Sequence, residues 1–196
     1  NLYSKCGFVA SAFLLFEEMP DQDVVSWTAI ISGFSRSGHV KEAIWLFYKM
    51  RLAEVEPNSF TFGALLSVCS VSSALNKGKQ FHGLIFKFGL GADIVVGSAI
   101  VDMYSKCGGM DDALSVFQSM PERDIVSWNG IICGCAQNGE TTRALKLYSE
   151  MVQSESSIIT PNDVTFVGLL SACSHSGFVK EGFSYFNEMI HKHFIK

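Results

Sequence analysis

Six cysteines and five histidines are the side chains here best suited to covalent or metal chemistry. Their spacing supports neither. Zinc-assisted attack on a nucleobase needs His-x-Glu and a later Pro-Cys-x-x-Cys, so that metal ligands and a general acid converge on one water. His39, His82, His175, His191 and His193 are none of them followed by Glu two residues on, and no Cys-x-x-Cys occurs. Cys133 and Cys135 stand two apart, which on a helix turns them to different sides. The other four fall at recurring places: Cys6 in Tyr3-Ser4-Lys5-Cys6-Gly7, Cys107 in Tyr104-Ser105-Lys106-Cys107-Gly108, and the related pair Cys69 and Cys173. They read as buried free thiols of a reducing compartment. No Walker phosphate loop is present. The chain is therefore expected to bind rather than react, with no catalytic residue, cofactor or metal.

The elements that position any binding residues must come from a chain of 196 residues, 48% apolar and 17% charged, with formal net charge −4. That apolar share is ample for a core and argues against disorder. The charge excludes a general polycation but allows a basic track on one face. Ser11 breaks one of the two longest apolar stretches, and Lys87 and Asp93 break the other, so no membrane span is expected. The chain opens at Asn1 inside what reads as a repeat, and is expected to be a fragment.

The sequence repeats itself. Shifted by 101 positions, residues 1–38 lie over 102–139, with 17 of the 38 pairs identical. Met19-Pro20-x-x-Asp23-Val24-Val25-Ser26-Trp27 meets Met120-Pro121-x-x-Asp124-Ile125-Val126-Ser127-Trp128. That period divides into units of 35, 35 and 31 residues: 24–58, 59–93 and 94–124. Residues 125–162 repeat the first type with three residues inserted near Ser154–Thr160, and 163–196 repeat the second type, cut short at its end. Residues 1–23 are the tail of the third type.

Each unit reads as two helices. Ile100, Met103, Tyr104 and Cys107 follow helical spacing, as do Met110, Ala113, Leu114 and Phe117, and Val40, Ala43, Ile44 and Phe47. Gly38, Gly108, Gly139 and Gly177 sit where the first helix must stop, with Ser73 in that place in the 59–93 unit. Pro20, Pro57, Pro121 and Pro161 follow the second helices. A lone pair cannot bury its apolar stripe, whereas stacked pairs share a continuous core. The expected fold is all-α, a right-handed α-solenoid. Trp27, Trp128, Phe47, Phe117 and Phe186 are expected in its core.

These residues resemble the pentatricopeptide repeat family: degenerate 35-residue hairpins with Val-Val-Ser-Trp starts and Pro-Asn ends. The 35-, 35-, 31-residue alternation is similar to the plant PLS subclass, made of P, long (L) and short (S) units. Met103–Gly108 and Met120–Asp124 carry strings characteristic of its S units. By this likeness the chain comprises a partial S unit (1–23), then P (24–58), L (59–93), S (94–124), P (125–162) and a truncated L unit (163–196). The last resembles the L unit just before the C-terminal extension.

The resemblance implies single-stranded RNA binding, one base per repeat, a mode this repeat physics permits. It implies that the fifth and last residues of each unit read the base and the second sandwiches it. Thr28 with Asn58 then favours adenine, Ser98 with Asp124 guanine, and Asn129 with Asn162 cytosine over uracil. Gly63 with Asp93 reads weakly, Val167 cannot read, and the first unit keeps only Asp23. The sandwiching residues are Val25, Phe60, Val95, Val126 and Val164. The register is A-x-G-C from 5′ to 3′. The competing reading makes Asp23, Asn58, Asp93, Asp124 and Asn162 simple helix caps, and the two roles are compatible. Lys5, Arg36 and Lys106 share the thirteenth place, where Gln137 and His175 stand in other units. They are phosphate-contact candidates, or else cations stabilising a helix C-terminus.

The resemblance further implies a plant organelle, the mitochondrion ahead of the chloroplast, and a role in specifying cytidine-to-uridine RNA editing. Any deaminase would lie in a missing domain or a partner. Organellar splicing, processing or stabilisation is the first alternative, and a protein-binding helical scaffold the second. Expected partners are single-stranded organellar RNA and editing-factor proteins, with end-to-end association of the fragment through its uncapped faces.

Overall fold

A computed structural model describes residues 8–153 and 159–195. Lys5, Cys6 and most of the inserted segment near Ser154–Thr160 lie outside the described residues. Every regular element among the described residues is an α-helix: α1 (Val9–Glu17), α2 (Val24–Arg36), α3 (Val40–Leu52), α4 (Ser59–Val71), α5 (Leu75–Lys87), α6 (Ile94–Lys106), α7 (Met110–Ser119), α8 (Ile125–Gln137), α9 (Thr141–Gln153), α10 (Asp163–His175) and α11 (Val179–His191). None is long and apolar enough to cross a membrane.

Local chemistry sets these boundaries. Asp23, Asn58, Asp93, Asp124 and Asn162 are extended N-caps of α2, α4, α6, α8 and α10, each accepting a backbone N–H of the first turn. Each of these helices then ends in a tight turn. Gly38, Gly108, Gly139 and Gly177 take φ of 76°, 79°, 74° and 69° there, and Ser73 takes the same left-handed conformation at φ 51°. The Met-Pro-x-Arg-Asp string closes α7. Arg123 donates Nε to the Phe117 carbonyl at 2.9 Å and Nη2 to that of Gln118 at 2.8 Å, satisfying orphan carbonyls before Asp124 starts the next helix. Gln22 does the same for the Phe16 carbonyl at 3.0 Å.

The helices stack in two rows. α2, α4, α6, α8 and α10 pack one on the next, while α3, α5, α7, α9 and α11 pack on their own partners. α3, α5, α7 and α9 also touch the next inner helix, whereas the outer helices meet one another only through long side chains, as where Phe47 of α3 packs on Phe81 of α5 at 5.6 Å and Lys79 of α5 pairs with Asp112 of α7 at 3.0 Å. The inner row approaches closely: a Cβ on Gly168 of α10 would lie 2.8 Å from the Cys133 sulfur of α8, and one on Gly134 would collide with Ser105 of α6. Unequal spacing bends the stack toward the tighter row, making an α-solenoid with α2, α4, α6, α8 and α10 along its inside. Phe47, Phe62, Phe81 and Phe166 are fully buried between the rows. Trp27 and Trp128 are core as well, edge-on to Phe16 at 4.7 Å and Phe117 at 4.8 Å. Phe186 departs from expectation. It is 44% exposed, because nothing among the described residues packs beyond α11 to cover it.

Candidate nucleic-acid interface

The second residue of each inner helix is apolar and open to solvent. Val25, Phe60, Val95, Val126 and Val164 are 67%, 65%, 43%, 60% and 45% exposed. Position five lies one turn further along the same face. Thr28, Gly63, Ser98 and Asn129 stand there, sheltered between neighbouring helices, and Val167 follows at 65% exposed. The face therefore repeats an apolar step beside a polar notch from helix to helix. Asp23 caps α2 at the exposed start of this row, and the Ser26 amide and hydroxyl hold its carboxyl below the usual range.

The structure joins two of the three polar pairs, one directly and one through a third residue. Asn129 Nδ2 donates to Asn162 Oδ1 at 2.9 Å, and the Thr165 hydroxyl donates to Asn129 Oδ1 at 2.6 Å. Thr28 and Asn58 do not touch directly. Thr61 lies between them, its Oγ1 2.6 Å from Thr28 Oγ1 and 3.0 Å from Asn58 Oδ1. Ser98 and Asp124 are not bridged. Ser127 turns its hydroxyl to the Asp124 carbonyl at 2.8 Å, and the buried Ser98 Oγ has no partner among the described residues.

Asp93 is spoken for from within. Its Oδ1 accepts the Val95 and Val96 amides at 2.9 and 3.0 Å, and its Oδ2 accepts the Ser59 hydroxyl at 2.6 Å. Partial burial works against its ionisation, but those three hydrogen bonds outweigh it and hold the carboxyl below its usual range. Gly63 beside it offers no side chain and leaves open space.

With this geometry in view, the comparisons with known proteins decide the family. The sequence matches the PPR repeat family over residues 22–70 and 123–175, and the PPR repeat over 1–24, 98–125 and 164–194. The chain belongs to the pentatricopeptide repeat family. A pentatricopeptide repeat-containing protein of Arabidopsis thaliana is 42% identical over 189 residues, 96% of this chain and 26% of the relative. A second from the same plant is 40% identical over 192 residues, 98% of this chain and 27% of the relative. The chain thus spans about a quarter of the length of the curated relatives it matches. Among solved structures, the pentatricopeptide repeat protein PPR10 in complex with an 18-nucleotide psaJ RNA element superposes over 99% of this chain and 29% of its own, with TM-score 0.81 at 23% identity. The PPR domain of Arabidopsis thaliana protein-only RNase P 1, in complex with tRNA, covers 82% of this chain and 85% of its own, with TM-score 0.63 at 17% identity. Both likenesses are of fold.

In this pentatricopeptide chain, Arg36 and Lys106 are exposed at the ends of α2 and α6. Arg36 makes no ion pair among the described residues, whereas Lys106 pairs with Asp102 at 2.9 Å. Lys5 lies outside the described residues. Burial holds all five described cysteine thiols above their usual range. It pushes the Cys69 thiol up to about 11 and the Cys135 thiol to about 12, so both stay protonated near neutral pH. Among the described residues no cluster of His, Cys, Asp and Glu could hold a metal ion.

Four participants escaped the sequence reading: Thr61, Thr165, Ser59 and Asp102. The first two carried a visible signal, since the third place of the inner helices runs Ser26, Thr61, Val96, Ser127, Thr165 and is polar in four units of five. Asp102 carried one too, as an acid four residues before Lys106 on the same helix, whereas Ser59 carried none, because its partner Asp93 comes from the far end of the unit.

Proposed function

We propose that this chain binds single-stranded RNA, one nucleotide per helical pair, with bases held between successive exposed apolar steps and read by the polar notches beside them. The observation that carries this reading is the unbroken row Val25, Phe60, Val95, Val126 and Val164. Five solvent-exposed apolar side chains at one register have no core role, and they suit the flat faces of unstacked bases. The units are 24–58, 59–93, 94–124, 125–162 and 163–196, after a partial unit 1–23. Thr28/Asn58 selects adenine, Ser98/Asp124 guanine and Asn129/Asn162 cytosine. The Gly63/Asp93 unit discriminates weakly, since Gly63 has no side chain and three hydrogen bonds already engage the Asp93 carboxylate, and Val167 leaves the last unit without a reader. Arg36, Lys106 and Lys5 track the backbone.

The alternation of 35-, 35- and 31-residue units supports a finer assignment to the PLS subclass. In the whole protein the chain then directs cytidine-to-uridine editing in a plant organelle, the mitochondrion first, together with editing-factor proteins. The deaminase lies outside this chain. The exposed Val179, Phe183 and Phe186 of α11 are the surface through which the isolated chain associates end to end.

Gel-shift titration at fixed salt tests the core of this reading. The chain should retain a single-stranded RNA containing A-x-G-C and release a duplex of the same sequence. Equal binding of single strand and duplex, or no RNA binding with capture of a protein instead, contradicts it. Comparing organellar transcripts from plants with and without the protein tests the editing role: loss of one edited cytidine supports it, and unchanged editing with altered splicing or transcript level opposes it.

A further inference from the structure

The residues that read bases do not set their own polarity. A hydroxyl can donate or accept, and an amide can present either end, so a reading pair is ambiguous until something fixes its protons. We infer that the third residue of the following inner helix does this: Thr61 and Thr165 are positioning residues that dictate which hydrogen-bonding groups the pair above them shows to RNA. This rests on the base-reading assignment and deepens it.

Proton accounting around Thr61 carries the argument. Thr61 is fully buried, so water cannot stand in for its partners. Its hydroxyl lies 3.0 Å from Asn58 Oδ1, an oxygen that can only accept. The single hydroxyl proton therefore goes to Asn58. Thr61 Oγ1 also accepts the Asn58 backbone N–H at 3.3 Å. The remaining contact, 2.6 Å to Thr28 Oγ1, is then a hydrogen bond only if Thr28 donates. With its proton committed downward, Thr28 offers the groove lone pairs alone, and the Asn58 amide offers N–H. An acceptor beside a donor matches the N6 amino group and N1 of adenine, and mismatches the O6 and N1–H of guanine.

Thr165 sets an amide in the opposite sense. Its hydroxyl faces two oxygens that can only accept, Asn129 Oδ1 at 2.6 Å and Asn162 Oδ1 at 3.2 Å, and its one proton goes to the nearer, Asn129, while it accepts the Asn162 backbone N–H at 3.1 Å. Asn129 must then turn Nδ2 to Asn162 Oδ1, 2.9 Å away, and Asn162 Oδ1 also accepts the Thr165 amide at 3.2 Å. Both side-chain oxygens are drawn into the protein and N–H groups remain outward. Such a donor-rich face suits the O2 and N3 acceptors of cytosine.

The unbridged unit supplies the contrast. Ser127 donates to the Asp124 backbone carbonyl at 2.8 Å and leaves Ser98 Oγ unpartnered. Ser98 Oγ is buried here with its proton uncommitted, so a turn about χ1 on RNA binding lets it donate to O6 of guanine. Two hydroxyls at equivalent places, Thr28 and Ser98, read opposite groups because of the residue one helix further on.

The test uses the whole 196-residue chain and pairs of RNAs differing only by adenine or guanine opposite Thr28/Asn58. Thr61→Val should cut the preference for adenine over guanine about fivefold, the worth of one committed hydrogen bond, with base preferences opposite the other units unchanged. Thr61→Ser should restore it. Circular dichroism checks the fold, and Thr165→Val, read as cytosine against adenine opposite Asn129/Asn162, gives a second instance if Thr61→Val does not fold. Full adenine preference in Thr61→Val, alongside its loss in Thr28→Val, overturns the positioning role and leaves the reading pair standing. Undiminished preference in Thr28→Val overturns base reading itself.

Discussion

Replacing Asn162 by Asp should exchange the base chosen by its unit without loosening the fold. Asn162 Oδ1 accepts the Thr165 amide at 3.2 Å and Asn129 Nδ2 at 2.9 Å. An aspartate is nearly isosteric and keeps that oxygen, so the helix cap and the link to Asn129 survive. A carboxylate at a helix N-terminus adds roughly 0.3–1 kcal/mol of favourable dipole interaction, so melting should not move downward. What changes is the outward group, where an N–H donor becomes an acceptor. Cytosine N3 then faces a lone pair instead of a donor, while uracil N3–H gains a charge-assisted partner. With each good base-edge hydrogen-bonding pair worth about 1–3 kcal/mol, the cytosine-to-uracil affinity ratio should fall by about tenfold or more and reverse. The added charge repels every RNA equally, so the ratio is the readout rather than the affinity. Fluorescence anisotropy on two RNAs differing at one base, at one salt concentration, measures it. An unchanged ratio in a folded Asn162→Asp chain refutes the assignment of this pair.

Other expectations follow from the same geometry. Alanine at Lys5, Arg36 and Lys106 together should weaken binding of every sequence alike and flatten the slope of log affinity against log salt by up to about 0.7 for each phosphate no longer neutralised, whereas weakening confined to one sequence contradicts a phosphate role. Asp102→Asn should strengthen all RNAs, because Lys106 is released from its 2.9 Å pair, and unchanged affinity would remove Lys106 from the track. Ser73→Gly should stabilise the α4–α5 turn by about 0.5 kcal/mol in urea unfolding, since Ser73 sits at φ 51°, where an L-residue other than glycine is strained; a lower midpoint contradicts this. Burial holds His82 below its ordinary value, with the charge of Asp112 opposing only in part. The unfolded chain therefore takes up a proton that the folded one resists, and stability should fall as pH drops below about 6.5, the ordinary histidine value. His82→Gln should reduce that slope in urea titrations between about pH 7.5 and 5.5, and an identical slope in the variant assigns it elsewhere.

The fold was legible because its signals are local and repeated. Glycine at helix ends, proline after the outer helices and a cap before every inner helix recur at fixed intervals, so each unit vouches for the next. Asn58 and Asn162 were legible twice over, as caps by residue type and as readers by register. Phe186 misled because helical spacing marks the face a residue would bury, and says nothing of whether a neighbour is there to bury it. The polar bridges were harder to foresee. Thr61 and Thr165 belong to one unit and act on the unit before it, at separations of 33 and 36 residues, so no short window contains them. Ser127 has the same residue class at the same place and points elsewhere, a rotamer choice that sequence pattern does not encode.

The central claim is an ordered register of bases along the inner helices, and a one-position-at-a-time substitution series measures it most directly. Starting from an RNA containing A-x-G-C, each position is changed to the other three bases and the affinity recorded at constant salt. The account predicts weaker binding on substitution at the first, third and fourth positions and little change at the second, opposite Gly63/Asp93, with the order-inverted RNA bound no better than an unrelated strand. Equal tolerance at all four positions, or sensitivity concentrated at the second, contradicts it.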